Sequence, residues 1–288
     1  MAVALSAFAG FAVASILWAL LAPSFAAPAL QRTNYRGAAV PVAGGIVIAA
    51  AVVFAEAARA AYNLATGDDG GVGDPERAAV LIAAVGFCLL GVFDDLAGDA
   101  GAKGFRGHLG ALARGRLTTG GLKLFGGAAV AVVAVAAGRS VSIGRLFADA
   151  ALVALAANLG NLFDRAPGRV TKFGLVCFGA LLAATGAPAL LAAAAVVLGA
   201  GAGVLLADLR ERVMLGDAGA NVIGAVIGLA VVLSTAPLTR TVVLVVVLAL
   251  NLASEAVSFT KVIDRVPPLR FFDRIGRLRA DTSPSVRG

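Results

Sequence analysis

The stretch Ala78 to Ala97, AAVLIAAVGFCLLGVFDDLA, decides how the chain is read. From Ala78 to Phe93 it carries no charge, and it then runs into two adjacent carboxylates, Asp94 and Asp95. An apolar run of about 20 residues is long enough to cross a bilayer as a helix. The same signature recurs, giving nine expected spans: 2–26, 40–62, 78–97, 119–137, 142–163, 172–186, 188–207, 218–235 and 238–259. Residues 173–207 are nearly all apolar and too long for one span. Gly186-Ala187-Pro188 is the expected turn within them, because proline lacks an N–H and ends a helix. In the first run, Phe25-Ala26-Ala27 resembles a small-residue cleavage site. No Lys or Arg precedes it, however, so a retained helix is expected.

The whole chain agrees with these spans. Of its 288 residues 60% are hydrophobic and 14% charged, and mean hydropathy is +0.93. A soluble domain is about half apolar and roughly a quarter charged. Intrinsic disorder needs the opposite composition. Two Cys and one His leave no material for a disulfide framework, a CxxC zinc site or a His-metal cluster.

The net charge of +7 is explained by where the charges fall. With the N-terminus outside and the spans alternating, 19 of the 24 Lys and Arg residues lie inside and five outside. That asymmetry is the positive-inside rule, so no nucleic-acid partner is needed. The expected fold class is therefore an all-α polytopic membrane bundle of about nine transmembrane helices. The N-terminus is outside, the C-terminus is cytoplasmic, and the protein resides in the cell (plasma or inner) membrane. Residues 1–260 form one bundle domain with its site on the cytoplasmic face. Residues 261–288 form a basic cytoplasmic tail, disordered from Ala280 onward.

Charge at membrane depth is costly, about 2.5–3.5 kcal/mol per Asp on insertion scales, so carboxylates there usually have a task. Three acidic motifs converge on the cytoplasmic side. They are Asp94-Asp95 at the end of the third span, Asn158-Leu159-Gly160-Asn161-Leu162-Phe163-Asp164 at the end of the fifth, and Gly216-Asp217-Ala218-Gly219 at the start of the eighth. Carboxylates with few His or Cys favour a hard, oxygen-liganded ion such as Mg²⁺, which binds through one or two carboxylates plus substrate phosphates. The neighbouring loop supplies Lys103, Arg106, Arg114, Arg116 and Lys123, which suit phosphate oxygens. The combination reads as phosphoryl transfer involving a membrane lipid. Each element has a plainer reading when taken alone. Asp94-Asp95 is then a solvated helix end, and Asn158 and Asn161 are interhelical hydrogen bonds. Asp217 is a helix N-cap, and the basic residues are topology signals. His108 reads as a loop residue, and Cys88 and Cys177 as packing.

In these motifs the sequence resembles the polyprenyl-phosphate N-acetylhexosamine-1-phosphate transferases, from about residue 30 to about residue 276. The resemblance is carried by Asn34-Tyr35-Arg36-Gly37 with Val40-Pro41-Val42-Ala43-Gly44-Gly45, and by Gly91-Val92-Phe93-Asp94-Asp95 with Lys103-Gly104-Phe105. It continues in Asn158-x-x-Asn161-x-x-Asp164 and in Gly216-Asp217-Ala218-Gly219. It implies that a polyprenyl phosphate attacks a UDP-N-acetylhexosamine and releases UMP, giving a lipid-diphosphate sugar for a cell-envelope polymer. It also implies Asp94, Asp95 and Asp164 as catalytic residues, Lys103, Lys123, Asn158 and Asn161 as substrate-binding residues, and Asp217 as the Mg²⁺ ligand. A homodimer is compatible with it.

The chain departs from that family in three places. Ser258 to Pro268 contains no His where the family carries a His-rich motif. Arg165-Ala166-Pro167-Gly168-Arg169 follows Asp164 where Asp-Gly is usual. A polar tail stands in place of a tenth span. The alternatives are a non-catalytic relative that binds polyprenyl phosphate or scaffolds envelope assembly, and, third, a carboxylate-lined transporter.

Overall fold

The computed structural model describes residues 1–67, 74–97, 118–139 and 142–278. Lys103, with its neighbours Arg106, His108, Arg114 and Arg116, lies outside the described residues, as does the chain from 279 onward. The helices are α1 Ala2–Leu21, α2 Gly44–Thr66, α3 Pro75–Ala97, α4 Thr119–Gly138, α5 Ile143–Phe163, α6 Arg169–Thr185, α7 Ala192–Leu209, α8 Gly216–Ser234, α9 Pro237–Ser254, α10 Phe259–Arg265 and α11 Pro267–Arg274. A hairpin of β1 Gln31–Thr33 and β2 Ala39–Pro41 is the described departure from an all-helical chain.

Eight helices, α1 to α5 and α7 to α9, are long and apolar enough to cross a membrane. The remaining expected span, α6, has 17 residues and opens with Arg169, Thr171 and Lys172, all buried. The expected turn after it is present. Gly186 caps α6 at φ +74°, and Ala187 follows at φ +52°. Glycine accepts this left-handed geometry without the Cβ penalty.

Helix α8 is the centre of the bundle and is buried over nearly its whole length. Lipid tails are as apolar as leucine, so helices in a bilayer associate through close packing, and small residues permit it. A Cβ on Gly224 would stand 2.2 Å from the Ala156 carbonyl oxygen of α5, and one on Gly45 of α2 would stand 2.1 Å from the Gly219 nitrogen. A Cβ on Gly91 of α3 would stand 2.3 Å from the Ala218 nitrogen. Three helices thus meet the N-terminal half of α8 at backbone distance.

The two ends of the bundle differ. At one end, arginines close the helix termini. Arg139 donates to the Val232 and Leu233 carbonyls at the end of α8, at 3.1 and 2.7 Å. Buried Asp149 accepts from Arg240 at 2.6 Å and from Arg145. The three acidic motifs gather at the other end.

Candidate functional site

The site is assembled around the start of α8. Helix α3 delivers Asp94 and Asp95 on its last turn. Arg32, on β1, holds that turn by donating to the Asp95 carbonyl at 3.0 and 2.6 Å. The hairpin also fixes the loop before α8: the Met214 N–H donates to the Pro41 carbonyl at 2.8 Å, and the Gly44 and Gly45 N–H groups donate to the Met214 and Leu215 carbonyls at 3.1 Å.

Asp95 and Asp217 then divide two tasks. The Asp95 carboxylate accepts the Asp217 and Ala218 N–H groups at 3.1 and 3.2 Å. It therefore caps α8 from another helix, where the first N–H groups have no partner within their own helix. The capping role expected as the plain reading of Asp217 is taken by Asp95. The Asp217 side chain turns elsewhere and accepts from the Lys123 ammonium and, at 3.2 Å, from the Asn161 amide. Lys123, on the first turn of α4, donates also to Asp94 at 3.2 Å. One ammonium thus joins two carboxylates from two helices.

Two concavities flank this cluster. A cleft of about 390 Å³ is lined by Asp95, Asp164, Asp208, Glu211 and Arg165, with Tyr35 at its edge. A groove of about 410 Å³ between α3, α4 and α5 is lined by Phe87, Leu90, Leu124 and Leu155, with Lys123 and Asn158 among its polar residues. Lys123 lines the groove and pairs with Asp217, whose backbone N–H is held by the cleft residue Asp95.

Asp164 follows α5 and faces the cleft. Burial pushes its carboxyl well above the ordinary carboxylate range, and the charges of Asp208, Asp217 and Asp95 push the same way against Arg165. Asp208 accepts the Gly168 N–H at 2.8 Å and so fixes the loop that follows Asp164. Glu211, at φ +55°, accepts from Asn34 at 2.8 Å and Tyr35 at 2.9 Å and forms an ion pair with Arg36 at 2.9 Å.

Among the expected site residues, Asp94, Asp95, Lys123, Asn161 and Asp217 come together, and Asp164 shares the cleft with Asp95. Asn158 turns away from Asp217 and donates to Asn251 of α9 at 2.7 Å, while still lining the groove. Asp208, Glu211 and Arg32 were missed by the sequence reading as site residues. Asn34-Tyr35-Arg36 carried part of the signal for Glu211, but nothing local marked Glu211 as their partner.

Among the described residues no three Asp, Glu, His or Cys side chains converge as a ready-made metal site. Asp94 and Asp217 nevertheless share one cation, the Lys123 ammonium. A pair of carboxylates that already brackets a cation fits Mg²⁺, which completes its shell with water and substrate phosphate. No protein-family model matches the sequence, and no curated protein matches it.

Proposed function

We propose that the protein is a Mg²⁺-dependent phosphoglycosyltransferase. It would move a sugar-1-phosphate, of the N-acetylhexosamine type, from a UDP-sugar to polyprenyl phosphate with release of UMP, in cell-envelope polymer biosynthesis. The proposed topology has nine crossings, α6 included, with the N-terminus outside and the site at the cytoplasmic face. The observation that carries the reading is the Lys123 ammonium held between Asp94 and Asp217, with an apolar groove lined by Lys123 on one side and an acidic cleft lined by Asp95 and Gly216 on the other.

The groove suits a prenyl phosphate, because its walls are mainly apolar and Lys123 is among its lining residues. Lys123 there meets the lipid phosphate and lowers the cost of bringing an anion toward carboxylates. Asp217 and Asp94 would hold Mg²⁺, which when bound offsets the repulsion between donor and acceptor phosphates. Asn161 fixes the rotamer of Asp217 through its amide N–H. Asp95 keeps the start of α8 in place and so holds Asp217 beside Lys123. A phosphate monoester is largely ionised near neutral pH, so the acceptor needs no strong base. Asp164 lines the cleft and would contact the nucleotide-sugar bound there.

The test is purified protein with Mg²⁺, polyprenyl phosphate and a panel of nucleotide-sugars, scored for nucleoside monophosphate release. Release that requires both lipid and Mg²⁺ is expected. The Lys123 ion pairs also favour a second reading, a non-catalytic binder whose carboxylates carry a built-in counter-ion. Retained lipid binding with no release from any donor would select it.

A further inference from the structure

A third concavity lies at the same end of the bundle, along the helix pair α1 and α7. These helices run parallel at backbone distance: a Cβ on Gly199 would stand 2.0 Å from the Ala7 carbonyl oxygen, and one on Gly203 would stand 2.6 Å from that of Phe11. At their C-terminal ends lies an open groove of about 570 Å³, lined by Trp18, Ala22, Leu206, Arg210 and Arg212.

Arg210 and Arg212 are exposed, and among the described residues neither guanidinium has a hydrogen-bond or ion-pair partner. Their placement is imposed by the residue between them. Glu211 adopts φ +55°, a left-handed conformation that a non-glycine residue rarely takes, and the Arg212 N–H closes back on the Ala207 carbonyl at 2.9 Å. Three partners on the hairpin side hold the Glu211 side chain in the cleft. The chain therefore sends Glu211 one way, while both flanking arginines line the groove. Leu206, 65% exposed, continues the groove one helical turn along α7, and α1 carries exposed apolar side chains at Leu5, Phe8, Phe11, Ile16 and Leu20. Trp18 is half-buried and stacks on Phe25 with ring centroids 6.3 Å apart. An indole with two unpaired guanidinium groups at the end of a membrane helix pair has the chemistry of the headgroup level.

We infer that the groove between α1 and α7 binds an anionic phospholipid, with Arg210 and Arg212 on the headgroup phosphodiester and the first acyl carbons against Leu206, Ala22 and Trp18. This site is separate from the acidic cleft and does not depend on the proposed transferase activity.

Trp18 is the single tryptophan of the chain, so its fluorescence reads the groove directly. The experiment reconstitutes the full chain in vesicles containing brominated phosphatidylglycerol or brominated phosphatidylcholine and compares quenching of Trp18. Half-maximal quenching is expected at a mole fraction of the anionic lipid lower by on the order of ten-fold, as two basic residues at an anionic headgroup imply. Arg210→Gln/Arg212→Gln should abolish that preference, and Arg210→Lys/Arg212→Lys should keep most of it. Inorganic phosphate at matched ionic strength should leave quenching unchanged. Equal quenching by both lipids in the unaltered protein would overturn the inference, whether or not the glutamine variant folds. Displacement of the lipid by inorganic phosphate would overturn it in favour of a soluble anion.

Discussion

The Asp95 carboxylate accepts the backbone N–H of Asp217 at 3.1 Å, so the residue that caps α8 and the residue proposed to hold the metal are distinct and come from different helices. Their substitutions should separate. Asp95→Ala removes a cap and should lower stability by about 1–2 kcal/mol, read as a fall in the melting temperature. Asp217→Asn keeps its size and one acceptor oxygen but loses the charge. It should melt near the unaltered protein and lose Mg²⁺-dependent release of nucleoside monophosphate. Near-normal release from folded Asp217→Asn would remove Asp217 as the ligand and leave Asp94 as the next candidate.

Lys123 competes with any divalent ion for the carboxylates it joins. In Lys123→Met the two carboxylates lose their counter-ion, so Mn²⁺ used as a paramagnetic stand-in should bind more tightly, by on the order of ten-fold or more given the size of a unit charge at contact distance. Turnover should fall sharply in the same variant, because the acceptor phosphate loses its cation. Weaker Mn²⁺ binding would mean that the carboxylates do not form the metal site.

The backbone contact between α3 and α8 is a further target. Gly91→Ala would place a methyl group 2.3 Å from the Ala218 nitrogen and 2.5 Å from the Asp217 carbonyl carbon. It should part the helices, break the Asp95 cap and lower both melting temperature and release. Gly144, on the first turn of α5, has nothing within 4 Å of a built Cβ. Gly144→Ala should be neutral or raise stability by up to about 1 kcal/mol through helix propensity. Equal melting temperatures for the two variants would contradict the packing at α8.

The tail gives a pH dependence. Asp273 of α11 binds Arg169 of α6 through both carboxylate oxygens, at 2.8 and 3.0 Å, and also pairs with Arg277. Burial pushes the Asp273 carboxyl up. The hydrogen bond and charge of Arg169, with the charges of Arg277 and Lys172, outweigh it and hold the group below its ordinary value. A group with a depressed folded pKa stabilises fully above its unfolded pKa and loses that contribution as pH falls through the folded value. Amide exchange over residues 259–278 should therefore be protected at neutral pH and should lose protection on acidification below the ordinary Asp pKa of about 3.9. Asp273→Asn should lose it already at neutral pH, by up to about 3 kcal/mol, because Arg169 and Lys172 stay buried without their anion. Unchanged protection would mean that the tail is held by other contacts.

Much of this architecture is written in runs of residue type. Ala78 to Phe93 reads as a membrane helix because the bilayer demands an apolar, internally hydrogen-bonded segment, and that demand is local in sequence. The turn at Gly186-Ala187-Pro188 is local too, since backbone sterics at Gly and Pro decide it. Asp94-Asp95, Asp164 and Asp217 stood out for a related reason: carboxylates at helix ends in a chain this apolar are rare enough to mark a place. The division of labour among them was not legible. Whether Asp95 or Asp217 caps α8 depends on α3 meeting α8 at backbone distance through Gly91, a contact between residues more than a hundred positions apart. Glu211 lies between two arginines in the sequence, and its side chain is claimed by Asn34, Tyr35 and Arg36 from the hairpin. Asn158 belongs to the same motif as Asn161 and yet bonds to Asn251, because three residues along a helix leave the side chains about 60° apart around the axis and about 4.5 Å apart along it, in reach of different neighbours. Residue type alone marked eight helices long and apolar enough to cross a membrane, and the carboxylates at their ends, because suitability for lipid is a property of each segment separately. Which carboxylate caps, which pairs with Lys123 and which faces the cleft was decided only by how the helices pack, since those roles are set by distances between segments remote in the chain.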